Sequence, residues 1–114
     1  MREVRITVAV ATLLRVFLDE PDKAQYGYGL MRQTGYPSGK LYPILARLES
    51  AGWLIKEREQ IDPARAGRPA RRTYRLTGDG AQQARLELAE LQTQLSGRSN
   101  AGVSGRSATA GGMA

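Results

Sequence analysis

A chain of 114 residues with 17 Lys and Arg against 11 Asp and Glu, a net charge of +6 and neither Cys nor His has the size of one domain and a basic bias. The missing Cys and His exclude disulfides, thiolate nucleophiles, Cys/His zinc sites and imidazole acid–base catalysis, and the absence of a disulfide staple accords with a cytoplasmic location. The excess positive charge favours a polyanionic partner, nucleic acid or an acidic membrane surface.

Residues 6–18 are apolar at Ile6, Val8, Ala9, Val10, Ala11, Leu13, Leu14, Val16, Phe17 and Leu18, nearly all the way round a helix. Such a helix must be covered on every side. One face meets the chain's own core and the other is expected to meet a second copy, through Val10, Leu14 and Phe17. The β-branched content leaves a buried strand as the weaker alternative. Arg15 interrupts the run, Asp19-Glu20-Pro21 follows it instead of a small-residue cleavage site, and it is too short for a bilayer; it reads neither as a signal peptide nor as a membrane span.

A short helix follows over 28–34, then the break Gly35-Tyr36-Pro37. Ser38 is the expected N-cap of a helix over 38–51 that stops at Gly52, a residue suited to the left-handed position. Leu41, Leu45 and Leu48 form its apolar face, with Lys40, Pro43 and Arg47 on the other side; Pro43 is compatible with a helix only close to its start. Residues 53–59 and 72–76 read as two strands of a hairpin, and the intervening 60–71, with Pro63, Gly67 and Pro69, as a projecting wing. Thr77 caps a last helix over about 78–95, with Asp79 near its positive end. Ala81, Ala84, Leu88, Leu91 and Leu95 form a two-heptad seam on it, too short to stand alone, so Ala84, Leu88, Leu91 and Leu95 join the expected dimer interface. Residues 96–114 are Gly, Ser, Ala, Thr and Asn-rich and read as a disordered tail after a domain spanning 1–95.

The predicted fold is therefore mainly α with a small β-hairpin: a winged helix-turn-helix with a C-terminal dimerisation helix. Its DNA-binding candidates follow from position. Ser38, Gly39 and Lys40 sit at the N-terminal end of the recognition helix, where backbone N–H groups and the dipole favour phosphate. Lys40 and Arg47 have the reach for base edges or backbone oxygens, and Tyr42 suits a phosphate or a thymine methyl. In the wing, Arg65, Arg68, Arg71, Arg72 and Arg75 fall within eleven residues that contain no acid. Arg68 at the tip is placed for a minor groove, Arg71 and Arg72 for phosphates. Set against this, a leucine stripe is core in any helical protein, arginines in a loop are often only a solvated surface, and Tyr26, Tyr28 and Tyr36 read as packing residues. Trp53 reads as a hinge between helix and hairpin.

Three stretches, Tyr26-Gly27-Tyr28, the run from Pro37-Ser38-Gly39-Lys40-Leu41-Tyr42-Pro43 through Gly52-Trp53-Leu54, and Gly67-Arg68-Pro69-Ala70-Arg71-Arg72-Thr73-Tyr74-Arg75-Leu76-Thr77, resemble the PadR-like transcriptional regulators in order and spacing. The resemblance covers roughly residues 8–95 and accommodates Pro43, since that family carries Pro there. It implies a winged-helix homodimer formed by the first and last helices, usually a repressor. It points to Ser38, Gly39, Lys40, Tyr42 and Pro43 at the groove and to Arg68, Arg71 and Arg72 in the wing. Lys40 stands where Thr is usual, and Ala70 and Thr73 also depart from the pattern. Some relatives hold aromatic ligands between their last helices; no aromatic occurs in 82–95, which speaks against such an effector here. The sequence thus reads as a double-stranded-DNA-binding regulator of a palindromic operator, without catalysis, metal or cofactor, since its carboxylates are scattered and no phosphate-cradling loop appears. The rival is a winged-helix module that contacts protein only.

Overall fold

The computed structural model describes residues 4–103. Its elements are α1 (Val8–Asp19), β1 (Gln25–Tyr26), α2 (Gly27–Thr34), α3 (Ser38–Ser50), β2 (Leu54–Arg58), the short α4 (Pro63–Ala66), β3 (Arg72–Leu76) and α5 (Gly78–Val103). Thr7 starts α1, its hydroxyl accepting the Val10 N–H at 3.2 Å. Val10, Ala11, Leu13, Leu14 and Phe17 are buried within the single chain, whereas Val8 is 81% exposed.

The turn between α2 and α3 begins at Gly35, whose φ of 77° belongs to the left-handed region. The cap of α3 is Pro37 rather than Ser38: the Leu41 N–H donates to the Pro37 carbonyl at 2.9 Å, and Ser38 is already helical. The extended backbone of Pro37, with ψ of 163°, turns the chain into the helix one residue earlier, so the Ser38 hydroxyl makes no capping bond. Pro43 sits in the second turn. The carbonyl it fails to serve belongs to Gly39, at the exposed end where solvent can take its place. At the other end Gly52, with φ of 83°, donates to the Glu49 carbonyl at 3.0 Å and Trp53 to that of Leu48 at 2.9 Å, closing the helix as its sequence suggests.

The expected hairpin is part of a three-stranded sheet of order β1-β3-β2. Strand β2 pairs antiparallel with β3 from Leu54↔Leu76 to Arg58↔Arg72, and on the other side β1 pairs Gln25↔Tyr74 and Tyr26↔Thr73. Inside the wing, Asp62 accepts the Ala64 N–H at 3.0 Å, Pro63 opens α4 and Gly67, with φ of 71°, ends it.

The Thr77 hydroxyl accepts the Gly80 N–H at 2.8 Å and bonds back to the Gly52 carbonyl at 2.8 Å, so the cap of α5 also ties it to the end of α3. Gly80 is required there, since a Cβ would overlap the Trp53 carbonyl. The helix runs to Val103, eight residues past Leu95. Residues 96–103, expected to be disordered, contain no Pro, and an established helix gains a hydrogen bond for each residue added. Residues 104–114 of the expected tail lie outside the described residues.

One core joins α1, α2, α3, the sheet and the start of α5. It corrects part of the expected dimer interface. Val10, Leu14, Phe17 and Ala84 are each 2% exposed or less within one chain, so the chain's own core covers them and they offer no surface to a second copy. Leu88 and Leu91 are half-buried and Leu95 is 53% exposed.

Candidate nucleic-acid interface

Burial of Leu41, Ile44, Leu45 and Leu48 fixes how α3 is rolled against the core. The same roll turns Ser38, Gly39, Lys40, Tyr42, Pro43 and Arg47 outward; all six are exposed. The first N–H groups of the helix therefore face solvent with no side-chain cap, a ready anion-binding end. The Lys40 ammonium rests 4.3 Å from the centre of the Tyr36 ring, which limits its wandering while leaving its charge exposed.

Tyr42 does not stand alone. With Tyr26, Gly27, Tyr28, Arg71, Arg72 and Tyr74 it lines an open cleft of about 410 Å³, where α3, the start of α2 and the wing strand converge. Gly27 permits the approach, because a Cβ there would run into the Tyr42 hydroxyl. Tyr28 is 67% exposed and carries Arg32 over its ring at 5.9 Å, so it is a surface group and not the packing residue its sequence context suggests. Burial raises the Tyr74 phenol above its ordinary pKa, keeping it protonated at the floor of the cleft. Arg47 lies elsewhere: it lines a cavity of about 520 Å³ with Val4, Arg5 and Val10, between α3 and the start of the chain.

The five wing arginines divide sharply. Arg65 and Arg72 are exposed and have no carboxylate partner among the described residues. Arg75 pairs with Glu57 at 3.1 Å. The Arg71 guanidinium lies 4.9 Å over the Tyr26 ring. Arg68, expected to be a free tip, is turned back: Nη1 and Nη2 bond the two oxygens of Glu59 at 2.7 and 3.0 Å, and Nη1 also reaches the Pro69 carbonyl at 3.2 Å. The α4 turn and Gly67 fold the tip so that its nearest acceptor is Glu59 rather than solvent. The fork from Arg68, with the Arg71 N–H and the Tyr26 hydroxyl, holds Glu59 down at a pKa of about 2 against the opposing effect of desolvation, and the same contact raises Arg68. The sequence marks Tyr26 only as the start of the Tyr26-Gly27-Tyr28 stretch and Glu59 not at all, because their pairing depends on a two-residue strand.

Among the described residues no helix is long and apolar enough to cross a membrane, and no three acidic side chains gather as metal ligands. A family model described as the transcriptional regulator PadR-like family matches residues 14–86. Among solved structures, a PadR family transcriptional regulator from Eggerthella lenta is 30% identical, with a TM-score of 0.58 over 79% of this chain and 77% of that one. A PadR-like transcriptional regulator from Bacillus cereus is 21% identical, with a TM-score of 0.65 over 87% and 94%. AbfR of Staphylococcus epidermidis is 28% identical, with a TM-score of 0.58 over 71% of this chain; the chain spans half of that protein's length. No curated protein matches.

Proposed function

We propose, for a chain that belongs to the PadR-like family of transcriptional regulators, that it represses transcription as a homodimer bound to a palindromic operator. The observation that carries the reading is the convergence of Tyr42 from α3 with Arg71 and Arg72 from the wing on one open cleft. A helix for the major groove and a basic hairpin beside it then meet one duplex together. Ser38 and Gly39 offer N–H groups to a phosphate, and Lys40, Tyr42 and Pro43 face base edges. Arg71 and Arg72 neutralise phosphates on the flank. Arg47 contacts DNA from the edge of the helix.

The second copy is supported by apolar surface left over on α1 and α5: Val8, Leu86 and Leu95 are 81%, 58% and 53% exposed, and Leu88 and Leu91 are half-covered. A twofold dimer carries two recognition helices and suits inverted half-sites about one helical turn apart, roughly 34–36 Å, or a multiple of it. The test is selection of duplexes from a random library by the full chain, followed by salt titration on the enriched sequence. An imperfect palindrome is expected, with affinity falling about a thousandfold between 50 and 200 mM salt. No enrichment, or a flat salt response, overturns the reading in favour of a module that binds protein only.

A further inference from the structure

The wing lacks what holds the rest of the molecule. No residue from 60 to 71 is buried, and α4 contributes nothing to the core. Yet the segment closes on one carboxylate. Glu59 is 14% exposed and accepts four hydrogen bonds: two from Arg68 at 2.7 and 3.0 Å, one from the Arg71 N–H at 3.1 Å and one from the Tyr26 hydroxyl at 2.9 Å. Its own N–H donates to the Arg71 carbonyl at 2.8 Å, so the Arg71 backbone is gripped on both sides. Tyr26 closes the circuit, with its hydroxyl on Glu59 and its ring face under the Arg71 guanidinium. The acid thus determines both the path of the chain into β3 and the surface on which Arg71 lies.

We propose that Glu59 is a positioning residue for DNA binding: braced by Arg68 and Tyr26, it sets where the wing presents Arg71 and Arg72. The proposal rests on the DNA-binding reading above and assigns Arg68 to the brace instead of to DNA. It also predicts a sign opposite to simple electrostatics. An acid beside a polyanion repels it, so removing the charge alone should tighten binding to every duplex. Removing a brace loosens the geometry on which sequence-specific contact depends, while charge-driven binding to any duplex persists.

The test compares the wild-type chain, Glu59→Gln, Arg68→Ala and the double variant on the enriched duplex and on a scrambled duplex across a salt series. For Glu59→Gln the ratio of specific to non-specific affinity should fall about tenfold, with non-specific binding no weaker than in wild type. Arg68→Ala should produce a similar loss, the double variant no more than either single change, and the salt slope should stay put. Tighter or unchanged specific binding by Glu59→Gln overturns the proposal. So does a salt slope reduced by about one in Arg68→Ala with additive losses, which would make Arg68 a phosphate contact.

Hydrogen exchange on the free protein supplies a readout that needs no DNA. The Arg71 amide should lose protection in Glu59→Gln while amides of α3 keep theirs; unchanged protection at Arg71 means the brace does not exist. If Glu59→Gln fails to fold, Tyr26→Phe keeps the ring under Arg71, removes one donor, and should lower the specificity ratio in the same direction; no change then overturns the proposal. A wild-type chain without sequence preference defeats the DNA-binding reading and the positioning role together, whereas a wild-type chain that selects a sequence and a Glu59→Gln variant that keeps its full specificity overturn the positioning role alone.

Discussion

Helix α3 and the wing line the same cleft, one with Tyr42 and the other with Arg71 and Arg72, but are held by different forces. Helix α3 is anchored by four buried aliphatic side chains, with the part-exposed Glu49–Lys56 pair at 3.6 Å adding only an edge contact. The wing buries nothing over 60–71 and hangs on a carboxylate with three partner residues. Apolar burial is indifferent to pH and is non-directional. A charge-assisted network is directional and titrates. The helix is therefore expected to yield chiefly to changes in the core, and the wing to changes in charge.

The largest expected effect breaks the helix side. Leu45 is fully buried, and Leu45→Ala should cost about 2–5 kcal/mol of folding stability, with a lower Tm by calorimetry at every pH. Loss confined to the wing would contradict the shared core. Next is Gly80→Ala, where the added methyl meets the Trp53 backbone; a loss of about 1–3 kcal/mol is expected despite the better helix propensity of Ala, and a stabilised variant would show that α5 has room to shift.

Acid should act on the wing first. The Glu59 pKa is depressed from 4.5 to about 2 by folding, so its contribution is complete above pH 4.5 and disappears as pH falls towards 2. The groups facing it are Arg68, the Arg71 N–H and the Tyr26 hydroxyl. Amide exchange should show the wing opening before α3, and Glu59→Gln should remove that pH dependence. The smallest effect is assigned to the exposed Glu57–Arg75 pair, with side chains 41% and 37% exposed; Arg75→Ala should change stability by at most about 1 kcal/mol, as measured in urea. A larger loss would extend the ionic hold of the wing along β3.

Helix α3 was legible residue by residue in its interior and its end: the leucine stripe, Gly52 as the left-handed stop and Thr77 as the next cap are where the sequence places them. These are local signals, set by neighbours within a turn or two. The short α4 was also encoded, by Asp62 as cap, Pro63 at the first position and Gly67 at the end, but four residues are too few for periodicity to reveal.

What local pattern could not decide was which faces meet. Strand β1 consists of two residues whose partners, Tyr74 and Thr73, lie far along the chain, and no alternation can be read from two positions. The all-round apolar character of α1 required cover without saying whose; tertiary packing assigned Val10, Leu14 and Phe17 to the chain's own core and left Val8 outside. Composition established that the wing is rich in arginine, and no more than that, because a guanidinium is equally suited to a phosphate and to a carboxylate. Only the folded geometry, by bringing Glu59 and Tyr26 within hydrogen-bond reach, turned Arg68 inward and left Arg72 exposed.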